Sequence, residues 1–331
     1  MNTSIIGISN HIAEKIMTAQ EVSDLSGFSE KYITSKLGFK TKRISTNEQH
    51  PSDFAISASK SVLKKTSIDP KEINFIIYCS SGIYDYQFWS PSGHIQKVLG
   101  AKNALTFEIN NGCNSATMGM FLANNLITSQ RWKYGLVITS DTLSKFIDYS
   151  DQSLFPLYSF SDGASALIIG KSNYHNIIAQ SLYSNGEYAG CNKILLGGTR
   201  GTQIKNYSLK DRYIKLEDAE KIEKLRNNVI ASSYMKVIND ALEKSNINYN
   251  NLSFILTNQN TKKIINNVLK QLNIPKEKTY NTIEEYGHIA SIDTLLALEI
   301  CLEKNILKQG DFVLLATAGI GFNWGAQVIR I

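Results

Sequence analysis

The chain has 331 residues, 43% of them hydrophobic and 19% charged, a balance that excludes wholesale disorder and supplies a substantial core. No apolar run approaches the roughly 20 residues of a membrane helix, and the opening Met1-Asn-Thr-Ser-Ile-Ile-Gly lacks the cationic head of a signal peptide. Lys and Arg number 35 against 29 Asp and Glu, a net charge of +6; so mild an excess fits an acidic partner such as a phosphorylated cofactor or acidic carrier protein, but base bias is the plainer source of a Lys-, Asn- and Ile-rich composition. The cysteines Cys79, Cys113, Cys191 and Cys301 lie far apart without metal-type spacing. They read as the reduced thiols of a cytoplasmic protein.

In chain order, Ala58-Ser-Lys-Ser-Val-Leu-Lys-Lys predicts a helix, which turns through Ile68-Asp-Pro-Lys-Glu-Ile into the strand Phe75-Ile-Ile-Tyr-Cys-Ser-Ser. A continuous apolar run of this kind suits a strand buried on both faces, as in a parallel sheet flanked by helices. A helix around His94-Ile-Gln-Lys-Val-Leu follows, then a strand at Ala104-Leu-Thr-Phe-Glu-Ile. A mostly apolar helix opens at Asn111-Gly-Cys-Asn-Ser-Ala, and a strand follows at Gly135-Leu-Val-Ile-Thr-Ser. The charged stretch from Lys205 to Lys224 reads as a solvated face or a variable lid.

The same order then returns. A helix at Tyr234-Met-Lys-Val-Ile-Asn-Asp-Ala-Leu-Glu-Lys leads through Ile247 into the strand Phe254-Ile-Leu-Thr. A helix at Lys263-Ile-Ile-Asn-Asn-Val-Leu follows, then Lys278-Thr-Tyr-Asn-Thr-Ile in the place of the second strand, an apolar helix after Tyr286-Gly-His-Ile-Ala-Ser, and the strand Phe312-Val-Leu-Leu-Ala-Thr. Leu63 and Leu242, Ile68 and Ile247, and Phe75 and Phe254 share one offset, which marks an internal duplication. Alternation of strand and helix, present twice, predicts an α/β architecture, with an N-terminal half at 1–172 and a C-terminal half at 173–331.

The duplication has chemical consequences. It sets Gly112-Cys113 opposite Gly287-His288, each where an apolar helix begins. Two halves packed about a pseudo-twofold axis bring these helices side by side, with Cys113 and His288 converging at one end. Only a thiolate is a good sulfur nucleophile; a helix N-terminus favours it through orphan N–H groups, and a neighbouring imidazole favours it by taking the proton. The plain alternatives are an inert buried thiol and a satisfied core histidine.

With these residues in place, the chain resembles the thiolase superfamily, and most closely the 3-oxoacyl-acyl-carrier-protein synthase III type of condensing enzyme. The resemblance runs from Ser4-Ile-Ile-Gly to Trp324-Gly-Ala-Gln-Val-Ile-Arg-Ile. It rests on Phe107-Glu-Ile-Asn-Asn-Gly-Cys-Asn-Ser-Ala, Ser161-Asp-Gly-Ala-Ser-Ala and Gly319-Ile-Gly-Phe-Asn-Trp-Gly taken together. It implies a thiolase-like fold, duplicated and five-layered αβαβα, with two mixed sheets around buried central helices. It also implies a cytoplasmic homodimer and a nucleophile, Cys113, that takes an acyl group from coenzyme A or an acyl carrier protein. Those thioesters are substrates, and no permanently bound cofactor or metal is implied.

The partners of Cys113 depart from the family pattern. Synthases of this type carry histidine first and asparagine second; here Asn258 stands in the first place and His288 in the second. The exchange resembles thiolases, whose second, basic cysteine is replaced here by Thr317. The resemblance thus implies Cys113, His288 and Asn258 as the catalytic group, with His288 the activating base and Asn258 a donor to a second thioester oxygen. Decarboxylation of a malonyl unit needs no base at position 317 and remains open. Backbone N–H groups of Cys113 and Ile320 are the implied oxyanion hole. Tyr32, Lys36, Lys262 and Lys263 are the implied contacts for a nucleotide-bearing donor or an acidic carrier helix, with solvated surface as the plain alternative. The segment Tyr84-Asp-Tyr-Gln-Phe-Trp-Ser would line an acyl pocket or a dimer gate, or be ordinary core.

Other chemistries fall away. Gly170-Lys171-Ser172 lacks the glycine spacing of a phosphate loop. No Gly-x-Ser-x-Gly, His-Glu-x-x-His or paired Cys-x-x-Cys occurs, and nothing resembles a nucleic-acid module. The sequence therefore predicts an acyltransferase that loads Cys113 and makes a carbon–carbon bond, possible in specialised metabolism. Its rivals are acyl transfer to oxygen or nitrogen on the same fold, and a degenerate subunit that only binds a partner.

Overall fold

The computed structural model describes residues 2–203 and 206–331; Lys205, which opens the charged stretch noted above, lies outside them. One half-sheet runs in the order Leu105–Asn110, Ile73–Ser80, Tyr134–Thr142, Asp162–Ser172 and Asn2–Ile12. Its first three strands are parallel and the rest antiparallel. The other runs Asn176–Ser184, Asn323–Arg330, Phe312–Gly319 and Leu252–Thr257, with only the last pair parallel. The two expected sheets meet at a single residue pair, Ser4 with Asn176, and so form one continuous nine-stranded sheet.

Three apolar clusters define the layers. Ile77, Val137 and Leu167 of the first half-sheet and Leu256, Leu315 and Ile329 of the second share one cluster with Ala116, Met120, Leu295 and Leu298. The helices Ser115–Gln130 and Asp293–Glu303 are therefore the middle layer, covered on both sides. The helices Pro51–Thr66 and Pro91–Leu99 pack on the outer face of the first half-sheet through Phe54, Val62 and Ile95. Ile230–Ser245 and Lys262–Gln271 cover the second through Val237, Ile238 and Val268. Burial on this scale, at about 25 cal/mol per Å² of apolar surface, is what holds the layers together.

The duplication is incomplete in one place. The expected strand at 278–283 does not form, so the C-terminal half-sheet has one strand fewer. The segment is too polar to alternate into a core, and its N–H groups find another partner: those of Thr282 and Ile283 both donate to the Gln259 carboxamide oxygen at 3.2 Å. A chain whose donors are already satisfied has little to gain from a sheet edge.

A small cap completes the fold. The antiparallel pair Lys15–Thr18 and Thr41–Ile44 carries the helices Ala19–Ser26 and Glu30–Lys36 between its strands. Thr18 and Glu21 form a reciprocal capping box at the first helix. Met17, Val22, Ile33 and Phe39 of the cap join Leu143, Ile147, Leu154 and Phe160 in an apolar cluster that includes Cys113.

Candidate active site

Asn111 follows the strand Leu105–Asn110, and the turn Gly112–Asn114 precedes the central helix. Gly112 sits at φ +57°, and a Cβ there would lie 2.5 Å from the Ile320 nitrogen. Only glycine lets the Gly319–Ile320 backbone approach the cysteine turn this closely. The main-chain N–H groups of Cys113 and Ile320 are thus carried by two segments in direct contact.

Cys113 is 5% exposed and His288 2%. The Cys113 Sγ lies 3.7 Å from the His288 Nε2, although 175 residues separate them in the chain. Behind the ring, the His288 Nδ1 lies 2.5 Å from the Asp293 Oδ2. A carboxylate can only accept, so Nδ1 carries a hydrogen in either charge state of the ring, and in the neutral imidazole Nε2 faces the sulfur as the acceptor. Burial by itself depresses the imidazole, but the charge and hydrogen bond of Asp293, with the Cys113 sulfur, more than offset it and hold the pKa up at about 10. Asp293 is fully buried and also accepts from the Gln259 N–H at 2.6 Å and the Ile289 N–H at 2.7 Å. Sulfur, imidazole and carboxylate stand in line, an arrangement able to move a proton off the thiol and hold the resulting imidazolium.

Asp293 was not anticipated. The signal was present: one acidic residue inside the apolar run Ile289-Ala-Ser-Ile-Asp-Thr-Leu-Leu has to be buried with a partner. Its distance along the chain from His288 gave no hint that the two side chains meet.

Asn258 follows the strand Leu252–Thr257 and is fully buried. Its amide group donates to the Ala290 carbonyl at 2.9 Å and the Cys113 carbonyl at 3.4 Å. Its oxygen accepts from the Ala318 N–H at 2.6 Å and the Tyr234 hydroxyl at 3.2 Å. Asn258 therefore ties the cysteine turn, the His288 loop and the Gly319 loop together, with all its hydrogen-bonding groups engaged. Thr317 donates to the Asn114 side chain at 2.6 Å and meets the Thr117 hydroxyl at 2.7 Å.

The four residues implied at the donor mouth are at the surface. Tyr32 and Lys36 share the Glu30–Lys36 helix, with the Lys36 ammonium 5.8 Å from the Tyr32 ring centre. Tyr32 is 42% exposed and stacks on Phe28 at 5.5 Å, with Phe155 at 5.2 Å. A Cβ on Gly38 would lie 3.2 Å from the Lys262 Cβ, which places the end of that helix beside Lys262. Lys263 is exposed on the same turn. In the Tyr84–Ser90 segment, Tyr86 and Phe88 project into solvent, whereas Tyr84 packs against the outer cluster. Among the described residues, no group of three or more His, Cys, Asp or Glu could hold a metal, and no helix is long and apolar enough to cross a membrane.

Comparison with known proteins places this arrangement. The 3-oxoacyl-[acyl-carrier-protein] synthase III family pattern matches residues 107–186 and its C-terminal counterpart residues 242–331. A β-ketoacyl-[acyl-carrier-protein] synthase III of Clostridium acetobutylicum is 30% identical, with 99% of this chain and 98% of that protein covered. The chain belongs to the 3-oxoacyl-[acyl-carrier-protein] synthase III family. It is an acyl-transferring condensing enzyme of the thiolase superfamily. The crystal structure of the synthase III of Aquifex aeolicus superposes with a TM-score of 0.86 at 27% identity, covering 99% of this chain and 100% of that one. The synthase III of Thermus thermophilus, at 21% identity and a TM-score of 0.87 over 99% of both chains, shares the fold.

Proposed function

We propose that this synthase III family member forms an acyl thioester on Cys113, with His288 as its base and Asp293 as the orienting carboxylate. The observation that carries the reading is the line of three buried side chains, Cys113 to His288 at 3.7 Å and His288 to Asp293 at 2.5 Å. The Cys113 proton passes to the His288 Nε2 and the sulfur attacks the carbonyl of an acyl-coenzyme A or acyl-phosphopantetheine thioester. The N–H groups of Cys113 and Ile320 hold the oxyanion, worth about 3 kcal/mol per donor. Collapse expels the donor thiolate, which takes the proton back from His288. In the condensing step a malonyl thioester loses CO2, its enolate carbon attacks the acyl carbonyl, and Cys113 leaves as thiolate.

Exposure of all four beside the cap supports Tyr32 as a ring for the adenine of coenzyme A to stack on, and Lys36, Lys262 and Lys263 as contacts for its phosphates or for an acidic carrier helix. A second reading of the acceptor is favoured by one observation: both amide hydrogens of Asn258 are taken by carbonyls. That leaves His288 as the side-chain donor to an enolate oxygen, and His288 backed by Asp293 is well suited to deprotonate an acceptor hydroxyl or amine.

Intact-mass measurement after incubation with a panel of acyl-coenzyme A donors tests the first step. One acyl adduct per chain is expected, lost in Cys113→Ala; no adduct with any donor, or an adduct that survives the substitution, overturns the reading. Malonyl thioester, hydroxyl or amine acceptors added to the loaded protein then separate the two second steps.

A homodimer fits the free edge at Leu105–Asn110. Leu105 is 54% exposed there, and Ser90 and Ser92 donate to Glu108, drawing the exposed Tyr86 and Phe88 loop alongside. An exposed apolar strand edge favours pairing with a second copy. Light scattering is expected to give a dimer mass that falls to monomer in Leu105→Lys; a monomeric parent would overturn it.

A further inference from the structure

Lys42 is the most deeply buried cation outside the site, fully enclosed on the strand Thr41–Ile44. Among the described residues its ammonium makes no ion pair. It donates to the Tyr158 carbonyl at 2.7 Å, the Phe160 carbonyl at 3.0 Å and the Tyr149 hydroxyl. The nearby carboxylate, Asp162, is satisfied elsewhere, by the N–H and hydroxyl groups of Ser45 and Ser144. Burial pulls the Lys42 ammonium down to about 7, with Asp162 opposing it only in part. The titratable groups facing it are Asp162, Tyr149 and Tyr158. Enclosing an unpaired cation opposes folding, and an apolar side chain of similar length would cost less. Stability alone does not account for this residue.

Its contacts lead to the imidazole. The Tyr158 and Phe160 carbonyls flank Ser159, whose own carbonyl accepts from the His288 N–H at 2.7 Å. The Ser161 N–H donates to the His288 carbonyl at 2.9 Å, and the Phe160 ring lies 5.2 Å from the His288 ring. Gly287 is so tightly enclosed that a Cβ there would lie 2.5 Å from the Ser159 carbonyl and 2.8 Å from the Lys42 Cβ. The main chain of His288 thus hangs on residues 159–161, and Lys42 holds the carbonyls before and after Ser159.

We propose that Lys42 is a positioning residue for His288, clamping the 158–160 carbonyls so that the imidazole stays aligned with the Cys113 sulfur. This rests on the reading of Cys113 and His288 as a proton-transfer pair, and the test separates the two. The probe is alkylation of Cys113 by iodoacetamide, followed by intact mass across a pH series, with Cys113→Ala as the background. It needs no knowledge of the substrate. His288→Ala is expected to move the pH profile of alkylation. Lys42→Met is expected to slow alkylation at neutral pH about tenfold or more, the scale of a small misplacement in a site, and to move the profile toward that of His288→Ala. Lys42→Arg, which keeps the donors, is expected to recover part of the rate. Tyr149→Phe removes one acceptor and little volume, and is expected to slow alkylation about threefold, the scale of one hydrogen bond. If Lys42→Met does not fold, Tyr149→Phe decides. A parental profile in the folded Lys42→Met protein, or in Tyr149→Phe in its place, overturns the positioning role while leaving the pair intact. A parental profile in His288→Ala overturns the pair and the role of Lys42 with it.

Discussion

His288→Ala is expected to cut the rate of Cys113 acylation by about 10³-fold, within the range that a positioned acid or base supplies. The substitution removes the group 3.7 Å from the sulfur that takes and returns the proton. Asn258→Ala is expected to behave differently. It orphans the Ala318 N–H, the Tyr234 hydroxyl and two carbonyls in a fully buried place, each costing about 1–3 kcal/mol. The melting temperature should therefore fall, while acylation per folded molecule drops by much less than in His288→Ala. Stopped-flow or quenched acylation, normalised to folded protein, checks both. Equal losses would show that His288 acts as a structural residue and not as the base.

Asp293→Asn is the second large expectation. Asparagine can present an N–H where the carboxylate presents only acceptors, so Nδ1 no longer has to carry its hydrogen and Nε2 is no longer held as the acceptor. Acylation is expected to fall by about 10²- to 10⁴-fold with the sulfur and imidazole still in place. The stability of the variant should also show a particular pH dependence. The folded imidazole is raised from its ordinary 6.5 to about 10, largely by Asp293 against the opposing effect of burial. A group raised in this way contributes stability that is fully present below the unfolded value and is lost as pH rises through the folded value. The deficit of Asp293→Asn should therefore be largest near pH 6 and shrink toward pH 10. A deficit that is flat across that window would mean that Asp293 acts only through the Gln259 and Ile289 N–H groups.

Asp293 and the missing strand show where reading by repeats fails. Equivalence to Leu105–Asn110 predicts a strand at 278–283, yet the deciding contact is the Gln259 carboxamide, which belongs to neither segment. Asn258 shows the same limit. Its residue type and place suggest a free donor, but four groups from four other segments use up its hydrogen bonds. Lys42 looks like any strand lysine in the run Lys40-Thr-Lys-Arg, and nothing local distinguishes it from its exposed neighbour Lys40.

By itself, the sequence determined the alternation of strand and helix, the duplication, and the candidate nucleophile, because apolar periodicity and a glycine-framed cysteine at a helix start are local properties of the chain. The tertiary structure decided which groups face Cys113. Hydrogen bonds across 145 and 175 residues bring Asn258 and His288 to it. Side-chain partners at such separations are chosen by how two half-sheets close on their central helices, and no short window of sequence carries that information.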